Sequence, residues 1–251
     1  MLPLACLSAA LFVGGTFWLE QSIMLKQYSL DVLVALIPFV IGDEFFAETI
    51  VDGKRKSRLI LLAIPCLISY SYPIALGARV LGWYLHHGRY RGWRLRPAGA
   101  LALIVPVAVG LVAIWLTDHR FNLVTQAANL AYWNASILKS RFEEGLGSGL
   151  RLIADFIWGW HHGRLMPVVI AAVAPLQALG IYRVVSRWKN RAADDAWGSR
   201  TLGSLAVLVG AVLASVLVAY PISAGRLVLF AQIHTQILAV EGALFIVTSW
   251  R

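Results

Sequence analysis

Apolar stretches of bilayer length alternate along this chain with short basic clusters, and the clusters fall on every second connection. That is the pattern by which a multi-span helical membrane protein sets its orientation. Runs over Leu2 to Leu19, Ser29 to Ile50, Pro97 to Thr117, Leu165 to Val185, Leu202 to Ala219 and Leu227 to Thr248 each approach the roughly 20 residues that cross a hydrocarbon core as a helix. The stretch Leu59 to Leu85 permits two readings. As one tilted helix it would put Arg89, Arg91, Arg94 and Arg96 on the face opposite Lys54, Arg55, Lys56 and Arg58, against the charge rule. As a hairpin turning at Ser69-Tyr70-Ser71-Tyr72-Pro73 it keeps both clusters inside, with arms of about 13 residues that fall short of a full crossing. The hairpin reading is favoured, because proline ends a preceding helix and the hydroxyls can serve backbone groups left unpaired.

The expected fold is therefore all-α: one polytopic integral membrane bundle over residues 1–251, with about eight membrane segments including the short hairpin. Lys26 to Asp31, the connection from Asp118 to Arg164, and Tyr220 to Arg226 share the outer face. Within the long connection, Leu123, Ala127, Leu130 and Ile137 recur at helical spacing, as do Leu146, Leu150, Ile153, Ile157 and Trp160. Both stretches read as amphipathic helices in the headgroup plane, with Trp133, Trp158 and Trp160 as interfacial anchors; a loop packed on the bundle is the alternative.

Composition supports lipid as the solvent. Hydrophobic residues are 59% of the chain and charged residues 14%, against about 45–50% and 25% in soluble domains. The formal charge of +9 sits in the span-end clusters, the third being Arg183, Arg187, Lys189, Arg191 and Arg200. It reads as topology and not as a nucleic-acid surface. Cys6 and Cys66 lie in apolar runs far apart and read as small buried hydrophobes.

Two outer-face patterns carry candidate chemistry. In the first, Lys26-Gln27-Tyr28-Ser29-Leu30-Asp31 leads straight into a span, either as a helix cap with an interfacial lysine or as an anion pocket holding Lys26 and Tyr28. In the second, Tyr220-Pro221-Ile222-Ser223-Ala224-Gly225-Arg226 opens the last span. There an arginine can grip a phosphate through paired donors and a glycine permits close backbone approach, or the arginine merely snorkels. Other candidates read more plainly. Asp43, Glu44 and Glu48 form a solvated helix end. His86-His87 and His161-His162 are adjacent pairs that suit a metal poorly, so no metal site is expected. His234 and Glu241 are core polar groups satisfied by neighbours, Asp155 lies on a solvated face, and Asn134-Ala135-Ser136 is a chance sequon. No stripe of small residues marks a dimer interface.

The ordered set of stretches resembles a family. "LKQYSLDVLVAL" at Leu25 to Leu36 and "YPISAGRLVLF" at Tyr220 to Phe230 are similar to segments of bacterial GT-C glycosyltransferases, and between them the hairpin around "SYSYP" and "AYWNASILKSRF" at Ala131 to Phe142 fall in compatible order and spacing. The family comprises the polytopic enzymes related to protein O-mannosyltransferases and lipid A aminoarabinose transferases. The resemblance implies sugar transfer from a polyprenyl-phosphate carrier to an acceptor at the outer face of the inner (plasma) membrane. A carboxylate would take the acceptor's proton and basic groups would stabilise the departing phosphate; a divalent cation assists in some members. It assigns Lys26, Tyr28 and Asp31 to the donor-side pocket, and Tyr220 and Arg226 to phosphate or headgroup binding, with membrane lipids as further partners.

One departure stands out. The family's catalytic acids lie in an outer loop after the first span, and no Asp-Asp, Asp-Glu or Asp-x-Asp pair occurs in an outer segment of the right order. Asp43-Glu44 and Asp194-Asp195 lie toward the inner side, and Glu143-Glu144 comes too late. The expectation is an N-terminally incomplete or degenerate copy with its catalytic residues unassigned. The rival expectations are a non-catalytic lipid-binding or assembly protein and, third, a transporter, for which no repeat or paired broken helices are visible.

Overall fold

The computed structural model describes residues 27–48, 61–62, 64–67, 69, 71–91, 104–105, 108–109, 112, 137–158, 166–190, 196–217, 222 and 229–249. Among these the chain is all-helical. The helices are α1 (Gln27–Val40), α2 (Asp43–Phe46), α3 (Tyr72–Arg91), α4 (Leu138–Glu144), α5 (Leu146–Trp158), α6 (Met166–Asn190), α7 (Ala196–Leu217) and α8 (Leu229–Ser249), with a 3-10 turn at Ile64–Leu67. The runs read as Leu165 to Val185, Leu202 to Ala219 and Leu227 to Thr248 correspond to α6, α7 and α8. Leu2 to Leu19 lies outside the described residues, as does most of Pro97 to Thr117.

Two expected elements differ from what forms. Ser29 to Ile50 is not one helix, because α1 ends at Val40 and Gly42 is extended (φ −67°, ψ 151°) before α2 restarts at Asp43. The break redirects the chain so that Asp43 turns toward α3. The Leu59 to Leu85 stretch is interrupted as the hairpin requires. The 3-10 turn ends at Leu67, Ser69 Oγ accepts a hydrogen bond from the Tyr72 backbone N–H at 3.0 Å, and α3 begins there. Leu62 and Cys66 share one buried cluster with Tyr72, Leu76, Val80 and Trp83. The second arm is longer than expected, however. α3 has 20 residues, about 30 Å at 1.5 Å per residue, and this arm alone is of crossing length.

α7 is the hub. It runs antiparallel to α3, and the two backbones touch where a Cβ built on Gly82 would overlap Gly203. Beside it α6 and α8 run parallel, Gln177 reaching the Thr235 carbonyl at 3.4 Å and Arg183 reaching Glu241 at 3.4 Å one helical stretch further on. Their crossing is equally close: a Cβ on Gly180 would overlap the Leu238 carbonyl oxygen, and one on Gly242 the Leu176 carbonyl oxygen. Such crossings let Cα–H groups meet carbonyls across helices and maximise dispersion contact between them. Ala78-xxx-Gly82 and Ser199-xxx-Gly203 are thus small-residue stripes spent inside the bundle.

By length and composition, Trp197–Leu217 is long and apolar enough to cross a membrane, the one such helix among the described residues. The neighbouring helices carry a polar load. α3 holds Arg79, His86 and His87, and α8 holds Gln232, His234, Gln236 and Glu241, all of them buried. The outside is apolar by contrast, with Val40 78% exposed, Leu217 76%, Val168 66% and Leu33 65%.

Candidate functional site

Parts of the stretches expected on the outer face meet in one core cluster. Val32 and Ala35 come from the middle of α1, Ile222 from the Tyr220 to Arg226 stretch, Leu138 from the start of α4 and Leu152 and Phe156 from α5. Ala75, Val207 and Ala211 complete the floor. Ile137 and Ile222 are fully enclosed at 3% and 0% exposure. A polar bond pins the start of α4 to the hub, the Leu138 backbone N–H donating to Ser215 Oγ at 2.8 Å within the buried interior. Replacing Ser215 with alanine leaves that N–H enclosed and unpaired, at an expected cost of about 1–3 kcal/mol. Hydrogen exchange of the Leu138–Glu144 amides should rise accordingly, and unchanged exchange there would count against this anchor.

Tyr28 and Asp31 belong to the opening turns of α1; Lys26, Tyr220 and Arg226 lie outside the described residues, as do Trp133, Trp160, His161, His162 and the sequon. The α4–α5 corner turns at Gly145, whose φ of 145° suits glycine and few other residues. α5 packs through Gly149, Leu152 and Phe156, with Ile153 and Ile157 of the expected apolar face half-buried against the same cluster, while Leu146 (70%) and Leu150 (54%) of that face are exposed. Trp158, expected as a lipid anchor, instead donates from Nε1 to Gln177 Oε1 at 2.8 Å and ties α5 to α6. Asp155 is half-buried on this helix.

Two ionic clusters lie toward the opposite end, where the basic residues gather. Asp43 is not part of a solvated helix end: it pairs with the fully buried Arg79, accepts from Ser199 Oγ at 2.8 and 2.9 Å, and lies 2.8 Å from His87 Nε2. The Arg79 guanidinium also stands over the Phe46 ring at 5.1 Å and donates to Ser199 Oγ at 3.1 Å. Glu44, next to Asp43, is exposed as expected. Burying a guanidinium costs several kcal/mol unless a carboxylate compensates it, so the break at Gly42 and the clamp on Asp43 are one feature. Sequence reasoning passed over Arg79, although a lone arginine amid Ile74 to Leu85 was itself a signal that a buried acid should face it.

The second cluster centres on Glu241, itself fully buried. Trp197 Nε1 donates to Glu241 Oε1, Arg183 Nε lies 3.4 Å from Oε2, and Arg183 also donates to the Glu241 carbonyl at 3.3 Å. His234, between the clusters, shares a 3.0 Å hydrogen bond through Nδ1 with Ser204 Oγ and packs its ring 4.4 Å from that of Phe39. Both were expected to be satisfied by neighbours, and these are the neighbours, although His234 Nε2 has no partner. His86 stands edge-on to His87, ring centres 5.0 Å apart.

Among the described residues the arrangement is an all-α bundle with exposed apolar side chains, ion pairs inside, and a cluster at one end that joins Val32, Leu138 and Ile222. No family model, curated protein or solved structure matches the chain.

Proposed function

We propose that this chain is a multi-pass protein of the inner (plasma) membrane that binds a polyprenyl-phosphate-linked sugar at its outer face, as a GT-C-like glycosyltransferase or the carrier-binding part of one. The observation that carries the reading is the cluster joining Val32, Ile222 and Leu138. Val32 and Ile222 belong to the two stretches that resemble the family and Leu138 to one that lies between them in compatible order, and the three are far apart in sequence. The multi-pass setting is supported by the inverted distribution of polarity, with exposed Val40, Val168 and Leu217 outside and Arg79, Gln232 and Glu241 inside. Lys26 and Arg226 are the phosphate-binding groups of this proposal, with Tyr28, Asp31 and Tyr220 beside them. Two basic groups against one phosphate supply charge-assisted hydrogen bonds.

Binding of a polyprenyl-phosphate sugar to the chain in nanodiscs should weaken about tenfold or more for Lys26→Ala and for Arg226→Ala, since each charged hydrogen bond contributes about 1.5–3 kcal/mol. Affinity unchanged in both variants would end the proposal. A binding or assembly role without transfer is the second reading. It is favoured by the lack, in outer segments of suitable order, of a paired acid that could take the acceptor's proton. Carrier binding without product distinguishes it from the first.

A further inference from the structure

We propose that the first turn of α7 is an ionic coupler, tying the α1–α3 group to the α6–α8 pair at the basic end of the bundle. Trp197 and Ser199 are two residues apart, about 200° around the helix, and so face opposite sides. On one side Ser199 holds Asp43, which is paired with Arg79 of α3. On the other, Trp197 holds Glu241 of α8, which is paired with Arg183 of α6.

The two sides repeat one plan: a guanidinium from a long flanking helix, a carboxylate, and a donor from the same turn of α7. Both carboxylates stand at the N-terminal end of α7, where the helix dipole favours negative charge. Arg200 is close enough to Arg79 to oppose it, and His87 shares Asp43, so that one acid is counter-ion to several positive or protonatable groups. Arg79 is fully buried and Arg183 largely covered, with side-chain exposures of 0% and 16%. A buried arginine parted from its acid is costly, so movement on one side bears on the turn that the other side holds.

The consequence for function rests on the carrier-binding proposal. Lys26 to Asp31 belong to the α1 side and Tyr220 to Arg226 lead into α8, so the coupler would fix the separation of the two halves of the outer site.

The test uses Ser199→Ala and Trp197→Phe in the full chain in nanodiscs, read by hydrogen exchange with no carrier lipid present. Both variants keep each arginine–carboxylate pair. Trp197→Phe touches only the Glu241 side, yet it should raise exchange about fivefold or more in Asp43–Phe46. Ser199→Ala should do the same in α8 around Glu241, since coupling within one network is commonly about 0.5–3 kcal/mol. Changes confined to each variant's own side would overturn the coupler, as would a uniform rise that includes Leu152–Phe156 of α5. Neither readout depends on carrier binding, so a failed coupler and a failed carrier site are told apart.

Discussion

Asp43→Ala is expected to be the most damaging single substitution in the bundle, costing about 3–5 kcal/mol. The loss comes less from the missing attraction than from what it leaves behind: a guanidinium with 0% side-chain exposure, its counter-ion gone and Arg200 nearby. Ser199 and His87 would lose their acceptor in the same step. The physical account makes a second demand. Asp43→Ala combined with Arg79→Met should recover much of the loss, because an apolar side chain of similar volume needs no partner, and replacing a whole buried pair is often neutral. Reversible unfolding in mixed micelles measures both. A double variant no more stable than Asp43→Ala would mean that the damage is steric and that the charge argument is wrong.

The second large effect is expected at the α6–α8 crossing. A Cβ on Gly242 meets the Leu176 carbonyl oxygen, and one on Gly180 meets the Leu238 carbonyl oxygen. In each case the obstacle is backbone, which cannot rotate aside as a flexible side-chain tip would. Gly242→Val must therefore push the helices apart, loosening the Arg183–Glu241 and Gln177–Thr235 contacts that flank the crossing. Overpacking of this kind costs about 1–3 kcal/mol, occasionally more. The matched controls are Gly77→Ala and Gly210→Ala, where an added Cβ meets nothing within 4 Å. These should be neutral or stabilising by about 0.5–1 kcal/mol through helix propensity. Equal effects at both kinds of site would contradict the close crossing.

The long helices were legible because periodicity and length act locally. α6, α7 and α8 fall where the apolar runs lie, and the interruption before Tyr72 falls in the Ser69 to Pro73 stretch where a turn was expected. Other features were set by partners distant in the chain. The break at Gly42 makes sense only once Asp43 is seen to answer Arg79, 36 residues on; a lone arginine in an apolar run calls for an acid, but nothing local says which one. α5 shows a related limit. Leu146, Leu150, Ile153 and Ile157 share a helical face, but Leu152 and Phe156 form another, and which of the two meets the bundle depends on the shapes of α7 and of the segment around Ile222. Trp158 was misread because an indole N–H serves a buried carboxamide as readily as an interface. At the outer site, the order of the resembling stretches was legible in sequence. Their convergence around Val32, Leu138 and Ile222 is a tertiary fact.

The claim on which the functional account depends is that Lys26 and Arg226 face one lipid phosphate on one side of the membrane. Spin labels at positions 26 and 226, in a chain with Cys6 and Cys66 replaced by serine, give that distance by pulsed electron resonance in nanodiscs. The account predicts a narrow distribution below about 20 Å that tightens when a polyprenyl-phosphate sugar is added. A separation at or beyond the roughly 30 Å hydrocarbon thickness would place the two residues on opposite leaflets and contradict it.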